Sequence, residues 1–161
     1  MMPIYILGEG GHAKVVASII ERTRGTVLGF ISPEKEDKFI HSDELLALGL
    51  GNFKLRKKLM DKFGHHRFPA IIDPSAVVIG SVGYGTVVCP FGYVGVDAVV
   101  GYGCIINTSV TVDHDCEVGH YVNINPGVHI GGGTIINSSL YIGMGNNIIH
   151  GQNVEENMKS K

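Results

Sequence analysis

His114 stands between two carboxylates in the run Val112-Asp113-His114-Asp115. An imidazole exchanges a proton near neutral pH, and a flanking acid orients it and stabilises its charged form. The pattern marks His114 as a candidate general base. A plain solvent-exposed histidine is the alternative, and with eight histidines in the chain, position has to choose among them. A second constellation, Gly8-Glu9-Gly10-Gly11-His12, follows the apolar run Pro3 to Leu7 and opens a segment with apolar residues at helical spacing, His12 to Ile20. Backbone N–H groups in such a loop, together with a helix N-terminus, hold anions such as a nucleotide phosphate. Gly8, Gly10, Gly11 and His12 are therefore candidate substrate-binding residues, with a tight strand-to-helix turn as the plainer reading. The loop lacks a full GxGxxG and the α/β half is too short for a doubly wound fold, which argues against NAD. His65 and His66 have no Cys or acidic partner at ligand spacing, so no metal site is read there.

Two scaffolds with different periods must position these groups. Residues 1–70 alternate strand-like and helix-like segments. After the Gly loop and its helix comes a second strand, Thr26 to Ile31. Ser42 to Leu48 opens on an N-cap type with an acidic first turn and reads as a short helix, and Asn52 to Phe63 reads as another. The basic stretch Leu55 to Lys62 (LRKKLMDK) within it reads as a solvated face and not as a nucleic-acid site, given the acidic overall balance. Strand, Gly loop, helix, strand implies a small parallel α/β unit.

Residues 71–161 follow another rule. Val or Ile occupies position 82 and every sixth position after it through 154, thirteen in a row. The next residue is mostly Gly, Asn or Asp, and the fifth is small or branched, as in Thr86, Ala98, Cys104, Val110 and Cys116. A period of six is neither helical nor a simple strand alternation. It fits a solenoid in which each hexad is one flat side plus a corner. The first-position aliphatics point inward and stack from coil to coil, and the Gly, Asn or Asp beside each is expected to take the corner geometry. Three sides per coil make four coils of eighteen residues from 82 to 153, led by a coil over residues 72–81 whose register is broken by two. Such coils need caps, and the α/β unit supplies one.

The eighteen-residue coil gives a further inference. His114 occupies the third position of its hexad, an outward corner, and Gly132 and His150 follow it at intervals of eighteen. The three therefore share one column, with adjacent coils about 4.8 Å apart. A backbone N–H at Gly132 is placed to hold an oxyanion one coil from the base. The run Gly131-Gly132-Gly133 leaves that wall bare for close approach of a ligand, although three glycines in a turn need no ligand. His150 reads as a surface corner residue flanking this wall.

The hexads, the GEGGHAK opening, GNFKLRKKL, IDPSAVV and above all INTSVTVDHDCEVGHYVNINPGV resemble the left-handed β-helix acyltransferases. Within them the chain is similar to the sialic-acid O-acetyltransferase and nucleotide-amino-sugar N-acetyltransferase group. The resemblance covers nearly the whole chain and implies a left-handed coil sense, which periodicity alone does not show. It implies acetyl-CoA as cosubstrate and a sugar amine or hydroxyl as acceptor, in bacterial surface-glycan biosynthesis. His114 then becomes the catalytic base with Asp115 beside it, and Gly131, Gly132, Asn123 and His150 line the cofactor site. Asn123 stands where relatives often carry a second histidine. The Gly8–His12 loop meets the nucleotide sugar, residues 1–70 form its binding domain, and residues 71–161 form the acyltransferase domain. A homotrimer is implied as well, with His114 in a cleft between subunits.

Bulk properties narrow the classes. A net charge of −2 and a pI near 6.4 argue against nucleic-acid or anionic-membrane partners. No apolar run reaches the length of a membrane span and the N-terminus is no signal peptide. Three unclustered cysteines fit a reducing compartment, and the expected location is the cytoplasm. Two other functions remain open at this point. The short polar tail after Val154 allows a catalytically weak or inactive trimeric scaffold of the same fold. A metal-dependent hexapeptide enzyme would draw on His114, His120 and His129 across subunits.

Overall fold

The computed structural model describes residues 3–39 and 43–160. Its first part is a three-stranded parallel sheet of β1 (Ile4–Leu7), β2 (Val27–Ile31) and β3 (Leu45–Leu48), in the order β2-β1-β3. Helix α1 (Gly11–Arg22) packs Ala13, Val16 and Ile20 against Ile4 and Ile6. Helix α2 (Phe53–Phe63) covers the other side with Leu59, Met60 and Phe63. Asn52 caps α2 as expected, its side-chain oxygen accepting from the Leu55 amide at 3.2 Å.

One element differs from its sequence reading. Leu45–Leu48, expected as part of a short helix, is strand β3, with Leu46 pairing with Tyr5 and Ala47 with Ile6. Ser42, the supposed cap, lies outside the described residues. A central strand offering free N–H and C=O groups outweighs the weak helical preference of four apolar residues.

From Ile71 the chain winds into a three-sided parallel solenoid, and each face is a five-stranded sheet. The first face stacks the strands Ile71–Ile72, Val87–Val88, Ile105–Ile106, Asn123–Ile124 and Tyr141–Ile142. The second stacks Val77–Val78, Tyr93–Val94, Thr111–Val112, His129–Ile130 and Asn147–Ile148. The third stacks Ser81–Val82, Val99–Val100, Glu117–Val118, Ile135–Ile136 and Asn153–Val154. The register break falls as expected in the first coil, where the second and third faces are joined by a turn two residues short.

The first position of every hexad from Val88 to Val154 is buried in one continuous core. The fifth-position residues Ala98, Cys104, Val110, Cys116, Val122 and Val128 form a second inward layer. Burying each Val or Ile contributes on the order of 1.5–3 kcal/mol.

The corners do not use the residue that composition suggested. Positive φ occurs at the fourth position of each hexad, every sixth residue from Gly85 to Gly151, and half of these are not glycine: Phe91, Asp97, Ser109, Asp115, Tyr121 and Ser139. The second-position glycines serve close stacking instead. A Cβ on Gly95 would lie 2.8 Å from the His114 amide nitrogen, and one on Gly131 would lie 2.7 Å from the His150 amide nitrogen.

The α/β unit covers the upper part of the first face, where Ile71, Val87 and Ile105 are buried. Two arginines fasten it. Arg22 pairs at 2.8 Å with the buried carboxylate of Asp73, which also accepts from the Ser75 amide and hydroxyl. Arg56 reaches from α2 into the solenoid wall and donates to Gly103 O at 2.8 Å and to Asn123 Oδ1.

Candidate active site

The corner between the second and third faces carries His114. Its position is set from three directions: the Asp115 amide donates to Val96 O one coil above at 3.0 Å, the His114 carbonyl accepts from Gly133 one coil below at 2.9 Å, and the His114 amide donates to Asp113 Oδ1 at 2.8 Å. Asp115 occupies the left-handed region at φ 58°, which aspartate tolerates better than most residues. From there its carboxylate turns back onto His114, with Oδ2 2.7 Å from Nδ1. A proton on Nδ1 donated to Asp115 leaves Nε2 with a free lone pair, the form a base needs. The hydrogen bond to Asp115, and then the charge of Asp113, hold the His114 pKa above the ordinary histidine value. Both His114 and Asp115 are well exposed, so a ligand can reach them.

The column inferred from the eighteen-residue period is present. The imidazole lies over Gly132, where an added Cβ would stand 2.6 Å from both Cε1 and Nε2. Gly151 donates to Gly132 O at 2.9 Å, which places the exposed His150 in the next coil of the column. Gly131 and Gly133 donate to Ile148 O and His114 O, and neither bond occupies the Gly132 N–H. Gly132→Ala is expected to push the imidazole off its seat and lower turnover by about 10²-fold, with thermal stability nearly unchanged. Steady-state kinetics beside a melting curve checks this, and wild-type turnover in the variant would contradict it.

Asn123 is not part of this corner. It lies on the first face, where its side chain accepts from Arg56 and donates to Gly51 O at 2.8 Å. Both ends of its amide thus serve the junction between the two parts of the chain. His120 occupies the next corner, stacked on Tyr102 at 4.6 Å with its Nδ1 accepting from the Tyr102 amide.

The glycine loop lies apart from this corner and is open. Gly8, at φ 116° with its amide on Ile31 O at 2.8 Å, passes so close to Gly49 that a Cβ would meet Gly49 O at 2.7 Å. Gly10 caps α1 without a side chain, and a Cβ on Gly10, Gly11 or Gly51 would meet nothing within 4 Å. His12 points inward from this loop. Burial, and then the nearby Arg56 charge, lower its pKa to about 4, so it is neutral at physiological pH. Its Nε2 is buried and finds no protein partner among the described residues.

The residue that sequence reasoning missed is Arg56. It belongs to the run taken as a solvated face, yet it is fully buried. Its position three, four and seven residues before Leu59, Met60 and Phe63 puts it on the inward stripe of α2. That spacing was the available signal.

Comparison with known proteins identifies the architecture. Residues 3–47 match the family described as the PglD N-terminal domain. The acetyltransferase domain of PglB from Neisseria gonorrhoeae FA1090, in complex with acetyl coenzyme A, superposes with a TM-score of 0.69 at 25% identity, covering 94% of each chain. The fold is that of the hexapeptide-repeat nucleotide-amino-sugar N-acetyltransferases. The left-handed sense of the coils comes with it. PerB from Caulobacter crescentus, in complex with CoA and GDP-perosamine, has a TM-score of 0.68 at 25% identity over 99% of this chain and 91% of its own. A curated relative, the UDP-N-acetylbacillosamine N-acetyltransferase of Bacillus subtilis (strain 168), is 29% identical over 111 residues. That match spans 55% of this chain and only 51% of the relative. Among the described residues no helix is long and apolar enough to cross a membrane, and no group of three His, Cys, Asp or Glu side chains is placed to share a metal ion.

Proposed function

We propose that the chain is an acetyl-CoA-dependent acetyltransferase acting on the amino group of a nucleotide-linked sugar. The observation that carries this is the His114–Asp115 pair seated on Gly132, in a fold shared with proteins crystallised with acetyl-CoA or with CoA and a nucleotide sugar. The neutral amine attacks the thioester carbonyl and a C–N bond forms as its proton passes to His114 Nε2. The carbonyl oxygen becomes an oxyanion that accepts from the Gly132 N–H. Collapse breaks the C–S bond, and the proton held on His114 leaves with the thiolate. A hydroxyl acceptor follows the same route.

Residues 1–70 are the nucleotide-sugar domain in this reading, with Gly8, Gly10, Gly11 and His12 at its site. Residues 71–161 are the acyltransferase domain, and Gly131 and His150 flank the donor. A homotrimer brings one subunit's glycine loop toward its neighbour's His114. The exposed apolar residues Val96, Val99, Ile135 and Ile149 around that corner support burial by a second copy. The three free, buried cysteines support a reducing cytoplasmic setting, where activated amino sugars for surface glycans are made.

The pH profile tests the base. A raised pKa keeps His114 protonated, and so idle as a base, to higher pH than an ordinary histidine. Asp115→Asn removes the largest cause of that shift, so the acid limb of kcat/KM is expected to move to lower pH while the plateau falls. An acid limb that stays where it was in this variant would show that another group is the base.

A further inference from the structure

Two loops leave the small sheet side by side. Strand β1 runs into Gly8-Glu9-Gly10-Gly11, and its neighbour β3 runs into Gly49-Leu50-Gly51-Asn52. Because β2 lies on the other edge, the connections from β1 and β3 part here, and such a parting opens a crevice beyond the carboxyl ends of the strands. At its base the loops touch: Gly49 donates to Leu7 O at 2.9 Å, and a Cβ on Gly8 would meet Gly49 O at 2.7 Å. Further out Gly10, Gly11 and Gly51 are bare, with nothing within 4 Å of an added Cβ. The glycine loop is thus one lip of the crevice, and residues 49–52 are the other.

The second lip is fixed from outside the α/β unit. Leu50 O and Gly51 O both accept from Arg56, and Gly51 O also accepts from Asn123 Nδ2 at 2.8 Å. Among the described residues Asn123 is the one solenoid side chain that hydrogen-bonds this loop. Its Oδ1 accepts from the same guanidinium, whose other partners are backbone carbonyls. A side-chain amide suits the place, since it accepts from a cation and donates to a carbonyl at once. The first face, where Asn123 stands, lies opposite the corner between the second and third faces that carries His114.

We infer that Asn123 is a positioning residue for the acceptor: by holding Gly51 it sets the second lip of the crevice, and with it the seat of the nucleotide-linked sugar. It touches no reacting atom and acts through the loop. The resemblance in sequence implied a place for Asn123 in the cofactor site; in this inference it serves the acceptor instead. The inference rests on the acetyltransferase reading and adds to its acceptor site a residue of the solenoid.

The test uses the full chain, with UDP, GDP and CoA as calorimetric probes and KM values from acetyl transfer to a nucleotide-linked amino sugar. Asn123→Ala is expected to raise the acceptor KM, and the Kd of the nucleotide that binds, roughly 5- to 10-fold, the scale of one hydrogen bond. The donor KM, the Kd of CoA and kcat at saturating acceptor stay near wild type. Asn123→Asp keeps an oxygen for Arg56 but has no N–H for Gly51 O. Its melting curve should therefore overlay wild type while its acceptor KM rises at least as far as that of Asn123→Ala. A merely structural role would move the melting curve without this split between the two KM values, and that result overturns the inference. Wild-type acceptor KM in Asn123→Ala overturns it too, as does a rise confined to the donor KM and the Kd of CoA, which would return Asn123 to the cofactor site. The acetyltransferase reading stands in each of these cases. A wild-type chain that transfers acetyl to no nucleotide-linked amino sugar overturns both.

Discussion

His114→Ala is expected to lower kcat/KM for acetyl transfer by about 10²- to 10⁴-fold, the usual contribution of a positioned general base. The same change leaves the fold alone. The imidazole is exposed, its side-chain bond is to the exposed Asp115, and it rests on a glycine, so stability should shift by no more than about 0.5 kcal/mol. CoA affinity should hold too, because the proposed reading gives the donor the glycine wall and the Gly132 amide, not the imidazole. Kinetics and calorimetry on one preparation separate these effects. A variant that keeps most of its activity would move the base elsewhere, and one that loses activity and CoA binding together would make His114 a binding residue.

Arg56→Ala is expected to have the largest effect on stability, about 3–5 kcal/mol, or on the order of 10 °C in melting temperature. The guanidinium has no exposed surface and donates to Gly103 O at 2.8 Å, Leu50 O at 3.0 Å, Gly51 O at 2.8 Å and Asn123 Oδ1. These acceptors are amide oxygens from both parts of the chain. Removing the fork strands them in a buried junction and opens a void beside α2. Arg56→Lys should recover little, because a single ammonium cannot reach acceptors on two sides at once. A melting curve of Arg56→Ala that overlays wild type would show that the junction is not held this way.

The solenoid was legible because its core repeats. Of the thirteen Val or Ile residues six apart, the twelve from Val88 to Val154 are the buried inward layer, and Val82 packs half-buried against it. The same period carried the column of His114, Gly132 and His150, since coils of equal length put every eighteenth residue in line. What the period did not carry was the conformation of the corners. The left-handed residue is Phe91, Asp97 or Tyr121 as readily as glycine, so composition pointed to the wrong position. The conspicuous second-position glycines answer to the backbone of the next coil, a contact visible only once the coils are stacked. In the α/β part, Leu45–Leu48 became a strand because β1 was there to pair with it, and local preference could not report a partner forty residues away. Arg56 was hidden by its neighbours: three basic residues in four read as a wet surface, and only its helical phase set it apart.

The most direct measurement is release of free CoA when the wild-type protein is mixed with acetyl-CoA, with and without a nucleotide-linked amino sugar. CoA release that requires the acceptor, matched by one acetyl group added to the sugar by mass spectrometry, is the expected result. Tight CoA binding with no release in the presence of amino-sugar nucleotides would contradict it and leave a binding protein built on an acetyltransferase fold.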